Sequence, residues 1–413
     1  MVDRGGPTAP KARYPPRAML DYQRRGIVPE KHHIVLDRPD GRGVYYEECI
    51  TRRGFDGAYA ILYHAFPTTD DGAVRKSARG WAAPVAAVAE DQTVRRRLFD
   101  SNKVPAGGQF VDCRVPVLFN PDLVVLLARP TASDDVYSSN GDGDELVYVY
   151  SGKGRLESSF GWLSFDEGDY VWVPKGVIHR WHLEGSGHQF MVMEARKELR
   201  IPTQFRNPTG QLKMDAPYCH RDFIRPEGAA WDPSMGPSGP QTVVYKVRDR
   251  FSERTMPHHP LDIVGWDGTM YPIVFPILRF QPRIGQVHLP PTAHMTFAGE
   301  GFIVCSFVPR VTDFHEKAVP CPYPHTAVDC DEVILYVRGN FTSRKGVGPG
   351  CMSLHPMGVP HGPHPGAYER SIGTNRTDEL AVMLDTFLPL DLTANAIALE
   401  TPEYHDTWKI AAR

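Results

Sequence analysis

Three side chains in the second half of the chain, His325, Glu332 and His361, have the types and spacing of a metal-holding set. Two imidazoles and one carboxylate suit a divalent metal, Fe(II) above all, with coordination positions left open for other molecules. The stretch that carries them is one of two copies. Glu332 is followed by Gly339, Gly350, Pro356, Gly358 and His361, and an earlier stretch runs Glu145, Gly152, Gly168, Pro174, Gly176, His179. Both copies close on the same spelling, GDYVWVPKGVIH and GCMSLHPMGVPH, so one structural unit is expected twice. Where the second copy has His325, the first has Ser138 at the same distance ahead of its glutamate, with Asn140 just beyond. The first copy therefore offers only Glu145 and His179. It is expected to be metal-free and structural, with His179 a satisfied interior group, while the second copy carries the metal.

The residue types between these positions say which elements must hold them. ELVYVYSG, YVWVP and EVILYVRG are apolar, β-rich runs. Glycines at the turns and a Pro-x-Gly corner before each histidine close a hairpin, because glycine takes positive φ and proline fixes the corner. Alternate residues of a strand share one face, so a histidine at a strand end can point into a barrel mouth. Two unrelated hairpins would have to repeat this spacing by chance. The doubled pattern resembles the two-part signature of the cupin barrel, and the chain reads as a bicupin. The expected fold is mainly β, with two cupin-type β-barrel or jelly-roll domains and few short helices.

Punctuation along the chain divides it into a Pro-, Gly- and Arg-rich arm at 1–30, a β domain with the metal-free copy at 31–242, a catalytic barrel at 243–392 and a tail at 393–413 with a short helix. The stretch after Pro84, within RGWAAPVAAVAEDQTVRRRLFDSN, is the best helical candidate, and Arg95, Arg96 and Arg97 are expected on a solvated or subunit-facing helix surface. Residues 197–242 read as an irregular connection. A chain of 413 residues can bury large cores without disulfides. Its net charge of −3 argues against a nucleic-acid or anionic-membrane partner. Seven cysteines, an odd number with no C-x-x-C, point to reduced thiols in a cytoplasm, and Cys330 and Cys351 near the metal set are expected to pack. No apolar run is long enough to span a membrane and no signal-peptide core is visible, so a soluble protein is expected.

A closer resemblance rests on PYPHTAVDCDEVILYVRGNF, SLHPMGVPHGPHPGAYE and ELAVMLDTFLPL, with HPLDIVGWDGTMYP upstream. These segments are similar to the catalytic domain of the homogentisate 1,2-dioxygenase family, and the amino-terminal half fits more loosely. The resemblance implies Fe(II) held by His325, Glu332 and His361. It also implies homo-oligomers, trimers or hexamers. Two positions depart from the family: Asp267 stands where it usually has a histidine, and Phe341 where it often has a tyrosine. Both are expected around an aromatic substrate. His355 is the retained histidine expected beside the metal ligands, His288 and His294 could reach the site, and Tyr323 is a candidate pocket wall.

The chemistry expected of such a site is ring cleavage. A dihydroxylated aromatic acid and O2 would meet at one iron, which removes most of the entropy of their encounter. A nearby base, His355 or Asp267, would take the phenolic proton. An ionised Asp267 near the iron would repel a substrate carboxylate, so a ring substituent other than plain acetate is expected to be preferred; the competing reading is an ordinary Asp-Gly turn. The expected function is thus a ring-cleaving dioxygenase acting on homogentisate or a related hydroquinone acid. Two alternatives are a bicupin isomerase or decarboxylase with another divalent metal, and a non-enzymatic ligand-binding bicupin. Ala327 stands where the isomerases and decarboxylases usually keep a further histidine, and non-enzymatic bicupins commonly lose the ligands that this chain keeps in one copy.

Overall fold

A computed structural model describes residues 19–70, 72–232, 239–341, 343–344 and 346–409. The chain is built on β-sheets, as its alternating and apolar runs require. One sheet of twelve strands holds the first copy and one of six strands holds the second, with a four-stranded sheet beside them. The strand Leu123–Ala128 is buried at every position, and so is Asp331–Arg338 apart from its last residue. Such runs face packed neighbours on both sides. One continuous core joins the two halves: Tyr170 of the first copy hydrogen-bonds the Ser306 hydroxyl at 3.0 Å and packs edge-on against Phe297.

The two copies are the same unit in three dimensions. The strand Asp144–Ser158 pairs with Asp169–Val173 so that Glu145 faces Val173, and Asp331–Arg338 pairs with Cys351–His355 so that Glu332 faces His355. Gly152 and Gly339 sit at φ +95° and +96°, and Gly176 and Gly358 at +85° and +74°. Side chains rarely adopt this region, which is why both copies spell glycine there. A carboxylate pins each Pro-x-Gly corner: Asp144 accepts from the Lys175 N–H and Asp331 from the Met357 N–H, both at 2.7 Å.

Several expectations are corrected. The division near residue 242 does not follow the sheets. Strands Gln241–Val247, Arg250–Met256 and Ile273–Pro276 belong to the twelve-stranded sheet, Ile263–Gly268 joins the four-stranded one, and Arg97–Asp100 crosses over to pair with Cys351–His355. Residues 1–18 of the expected arm lie outside the described residues. Met19 and Leu20 are buried in the core, and Gln23–Gly26 is a strand. The helix expected after Pro84 does not form. Its place is taken by a 3-10 turn, Ala89–Gln92, and the strand Arg97–Asp100. The reason is Arg97, whose buried guanidinium takes the Asp91 and Thr93 carbonyls and the Glu400 carboxylate, so the backbone folds around a cation. Arg95 also pairs with Glu400, and Arg96 lies over the Trp408 ring. The tail does form a helix, Ala394–Leu399, capped by the Thr393 hydroxyl, and then packs back on the second copy. No helix among the described residues is long and apolar enough to cross a membrane.

Candidate metal centre

His325, Glu332 and His361 come together, each offering a ligand atom within 4.8 Å of the others. Glu332 stands near the start of its strand. His325 and His361 lie on two segments joined by a backbone bridge. His361 Nδ1 donates to the Val359 carbonyl at 2.9 Å, and His325 Nδ1 to that of Tyr323 at 3.3 Å. A ring nitrogen facing a carbonyl must carry the proton, so each Nε2 is left with its lone pair turned towards Glu332, at 3.9 Å for His325 and 3.8 Å for His361. The Nε2 of His361 is buried without a hydrogen-bond partner. An orphaned buried acceptor beside a carboxylate is the arrangement that a divalent cation satisfies, so the donor set fits a metal. Burial would raise the Glu332 pKa, but the hydrogen bond from His355 and the electrostatic pull of the neighbouring imidazoles and Arg344 hold it at about 2.

His355 is fully buried, and its Nδ1 donates to Glu332 Oε1 at 2.6 Å. Its ring stacks on His361 at 4.8 Å. Burial, opposed by Glu332, pulls its pKa down to about 4, so it is a neutral donor to the carboxylate. It is not among the residues that line the adjoining cavity. The proton expected to pass to His355 would have to reach its Nε2, since Nδ1 is held by Glu332, and the ring is not part of the cavity wall.

That cavity is lined by His325 and Glu332 together with His288, His294, Phe307 and Phe341. Tyr323 is not part of the wall itself, but its ring stands edge-on to His288, which is, and edge-on to His325. Phe341 packs edge-on against Tyr336, an apolar wall with no hydroxyl of its own. The structure does not bring Asp267 to this cluster. It lies in the strand Ile263–Gly268 of the four-stranded sheet, between Ile61 and Arg24, where its carboxylate accepts the Tyr22 hydroxyl at 2.6 Å. The substrate preference expected from its charge loses its basis, because Asp267 is a sheet residue rather than a pocket one.

In the first copy Ser138 and His179 pair just as His325 and His361 do, and the Ser138 hydroxyl is 3.5 Å from His179 Nε2. The Glu145 carboxylate is met by Arg114 at 2.5 Å and by the Asn140 amide at 2.9 Å. Arg114 itself lies between the Trp81 and Phe110 rings. Burial favours the neutral acid, and Arg114 with His179 overcomes it, holding Glu145 at about 2. A second acidic group, Asp142, Glu194 and Asp249, encloses the Lys246 ammonium and is an ion-pair cluster.

The sequence reading missed residues that hold the site. Asp331 fixes the corner before His361, and the Asp-Glu dipeptide of both copies was the available signal. Arg344 donates to the Gly362 carbonyl at 2.5 Å and to the Tyr336 hydroxyl at 3.1 Å, and Trp408 donates to the same carbonyl and stacks on His364 at 3.8 Å. Nothing local in the sequence marks those two.

Comparison with known proteins agrees with this geometry. The amino-terminal domain model of homogentisate 1,2-dioxygenase matches residues 123–277, and the carboxy-terminal model matches 277–413. A Saccharolobus solfataricus protein with a provisional description as a dioxygenase is 33% identical over 393 residues, 94% of this chain and 99% of its own length. The homogentisate 1,2-dioxygenase of Bradyrhizobium diazoefficiens is 26% identical over 303 residues, covering 69% of this chain but 65% of that enzyme, so the match spans just under two thirds of it. Among solved structures, a cupin 2 conserved barrel protein from Leptotrichia buccalis aligns with 72% of this chain and 99% of its own at TM-score 0.34 and 9% identity, too distant to argue from. With both domain models matched and a relative aligned nearly end to end, the chain belongs to the homogentisate 1,2-dioxygenase family of dioxygenases.

Proposed function

We propose that this protein is an Fe(II)-dependent ring-cleaving dioxygenase whose substrate is homogentisate or a related hydroquinone-type aromatic acid, in the breakdown of aromatic compounds such as tyrosine. The observation that carries the reading is the pair of Nε2 atoms turned on Glu332 beside a cavity of ring size. Iron, when bound by His325, Glu332 and His361, supplies Lewis acidity and an electron path between an electron-rich ring and O2.

The rest of the work falls to the chain. His288 lines the cavity with Nδ1 3.7 Å from the Asp313 carboxylate, and burial holds its pKa below the ordinary imidazole value. It is neutral at physiological pH and takes the phenolic proton, with Asp313 stabilising the imidazolium that results. His355 keeps Glu332 in one orientation, and Tyr323 and Phe341 flank the ring. Both atoms of O2 enter the opened product, so no reductant is consumed. Seven free thiols, with burial pushing Cys113 up to about 11 and Cys330 to about 12, support a reducing, cytoplasmic setting. Assembly into trimers or hexamers rests on the family resemblance.

Metal content tests this reading. Purified protein should hold about one iron per chain, as one complete triad allows. His361→Ala should lose it and His179→Ala should keep it. Retention in the first variant and loss in the second would reverse the roles of the two copies.

A further inference from the structure

The cavity wall holds an imidazole that the proposed reaction does not use. His294 ends the 3-10 turn Pro291–His294, is 4% exposed, and packs against Phe307 at 5.3 Å and Phe280 at 6.3 Å. Its Nδ1 has no hydrogen-bond partner. A polar group buried between two aromatic rings is costly unless something bonds to it, and the His294 side chain belongs to the cavity wall. His288, on the same wall, stands edge-on to Tyr323, and Tyr323 edge-on to His325.

The charges around the cavity say what kind of group would answer it. Glu379 of the wall is already matched by Arg310 at 2.8 Å, and the Asp313 carboxylate stands 3.7 Å from His288. Arg283 also lines the cavity, and it makes no ion pair among the described residues. The donors left over are therefore an imidazole N–H and a guanidinium, and what they lack is an anion. Burial, with the positive charge of Arg310 added, holds His294 far down at about 3, so it acts as a neutral hydrogen-bond donor and does not itself supply the charge.

We infer that His294 is the specificity-determining residue of this site, donating a hydrogen bond to the carboxylate borne by the substrate's ring substituent while Arg283 balances its charge. The inference rests on the ring-cleavage reading, since it places the ring oxygens at the triad and the acid at His294. His294 touches the substituent and no reacting atom, so its loss should weaken binding more than turnover.

Two probes separate this from the reading beneath it: homogentisate, which carries the acid, and methylhydroquinone, which does not. Each is titrated anaerobically into the iron-loaded enzyme by calorimetry, and KM and kcat are measured alongside. His294→Phe should raise Kd and KM for homogentisate roughly tenfold to a hundredfold, the worth of a hydrogen bond to a charged group, with iron content and kcat near the parent's. The same change should leave methylhydroquinone binding unaltered, and His294→Gln should recover part of the loss. Unchanged homogentisate affinity in His294→Phe, or an equal loss for both probes, overturns the assignment while leaving ring cleavage standing. If the parent enzyme binds neither probe, the ring-cleavage reading falls, and this inference with it.

Discussion

The backbones of His325 and His361 exchange two hydrogen bonds, from the His325 N–H to the His361 carbonyl at 2.8 Å and back at 2.9 Å. This bridge sets the two imidazoles 4.3 Å apart, centroid to centroid. Two of the three ligands are thus fixed to each other by the main chain, and the third is fixed by His355.

The first prediction concerns that third ligand. His355→Ala removes the donor to Glu332 Oε1 and leaves all three ligands in place. Metal affinity should fall roughly tenfold to a hundredfold, the usual cost of losing a partner that orients a ligand. His355→Asn, able to donate to the same oxygen, should restore part of it. A competition assay against a chelator reads both. Unchanged affinity in His355→Ala would mean Glu332 is held by other means.

In the first copy the cation is part of the protein. Arg114 and Glu145 are both buried, and the guanidinium occupies the carboxylate's open side. Arg114→Met should cost about 3–5 kcal/mol, because Glu145 is left as an unpaired buried charge. Arg114→Met with Glu145→Gln should be markedly less destabilised than the single change. Urea denaturation of the three proteins gives the comparison, and a single variant as stable as the parent would show that the pair carries no such weight.

Much of this was legible in the sequence, and the limits have physical causes. The meeting of His325, Glu332 and His361, the doubled unit and the β architecture were readable because glycine, proline and histidine at fixed spacing report backbone geometry directly. Asp267 misled because its identity came from a neighbouring tryptophan in a similar segment, whereas its position is decided by sheet pairing with residues near Tyr22 and Ile61. The stretch after Pro84 misled for a related reason. Its helical periodicity is local, but Arg97 is drawn into the core by Glu400, some three hundred residues away in sequence. The clamp of Trp408 and Arg344 on Gly362 is equally non-local.

Away from the site, His64 gives a pH dependence to stability. Burial lowers its pKa, but hydrogen bonds to Asp262 at 2.7 Å and Glu48 at 3.0 Å more than reverse this and raise it from 6.5 to about 9. A raised folded pKa gives stability that is complete below about pH 6.5 and is lost as pH rises through 9. The amount is on the order of 3 kcal/mol. Denaturation midpoints of the parent should therefore fall between pH 6.5 and 9.5, and those of Asp262→Asn should fall less. Parallel profiles for the two proteins would remove His64 as the source.

The most direct test of the central claim is oxygen uptake by the iron-loaded enzyme with homogentisate and related hydroquinone acids, without reductant or 2-oxoglutarate. The account predicts one O2 consumed for each ring opened, for at least one of these acids, and no uptake by His361→Ala. An iron-loaded enzyme that leaves every such ring intact, or that consumes O2 only when 2-oxoglutarate is supplied, would contradict it.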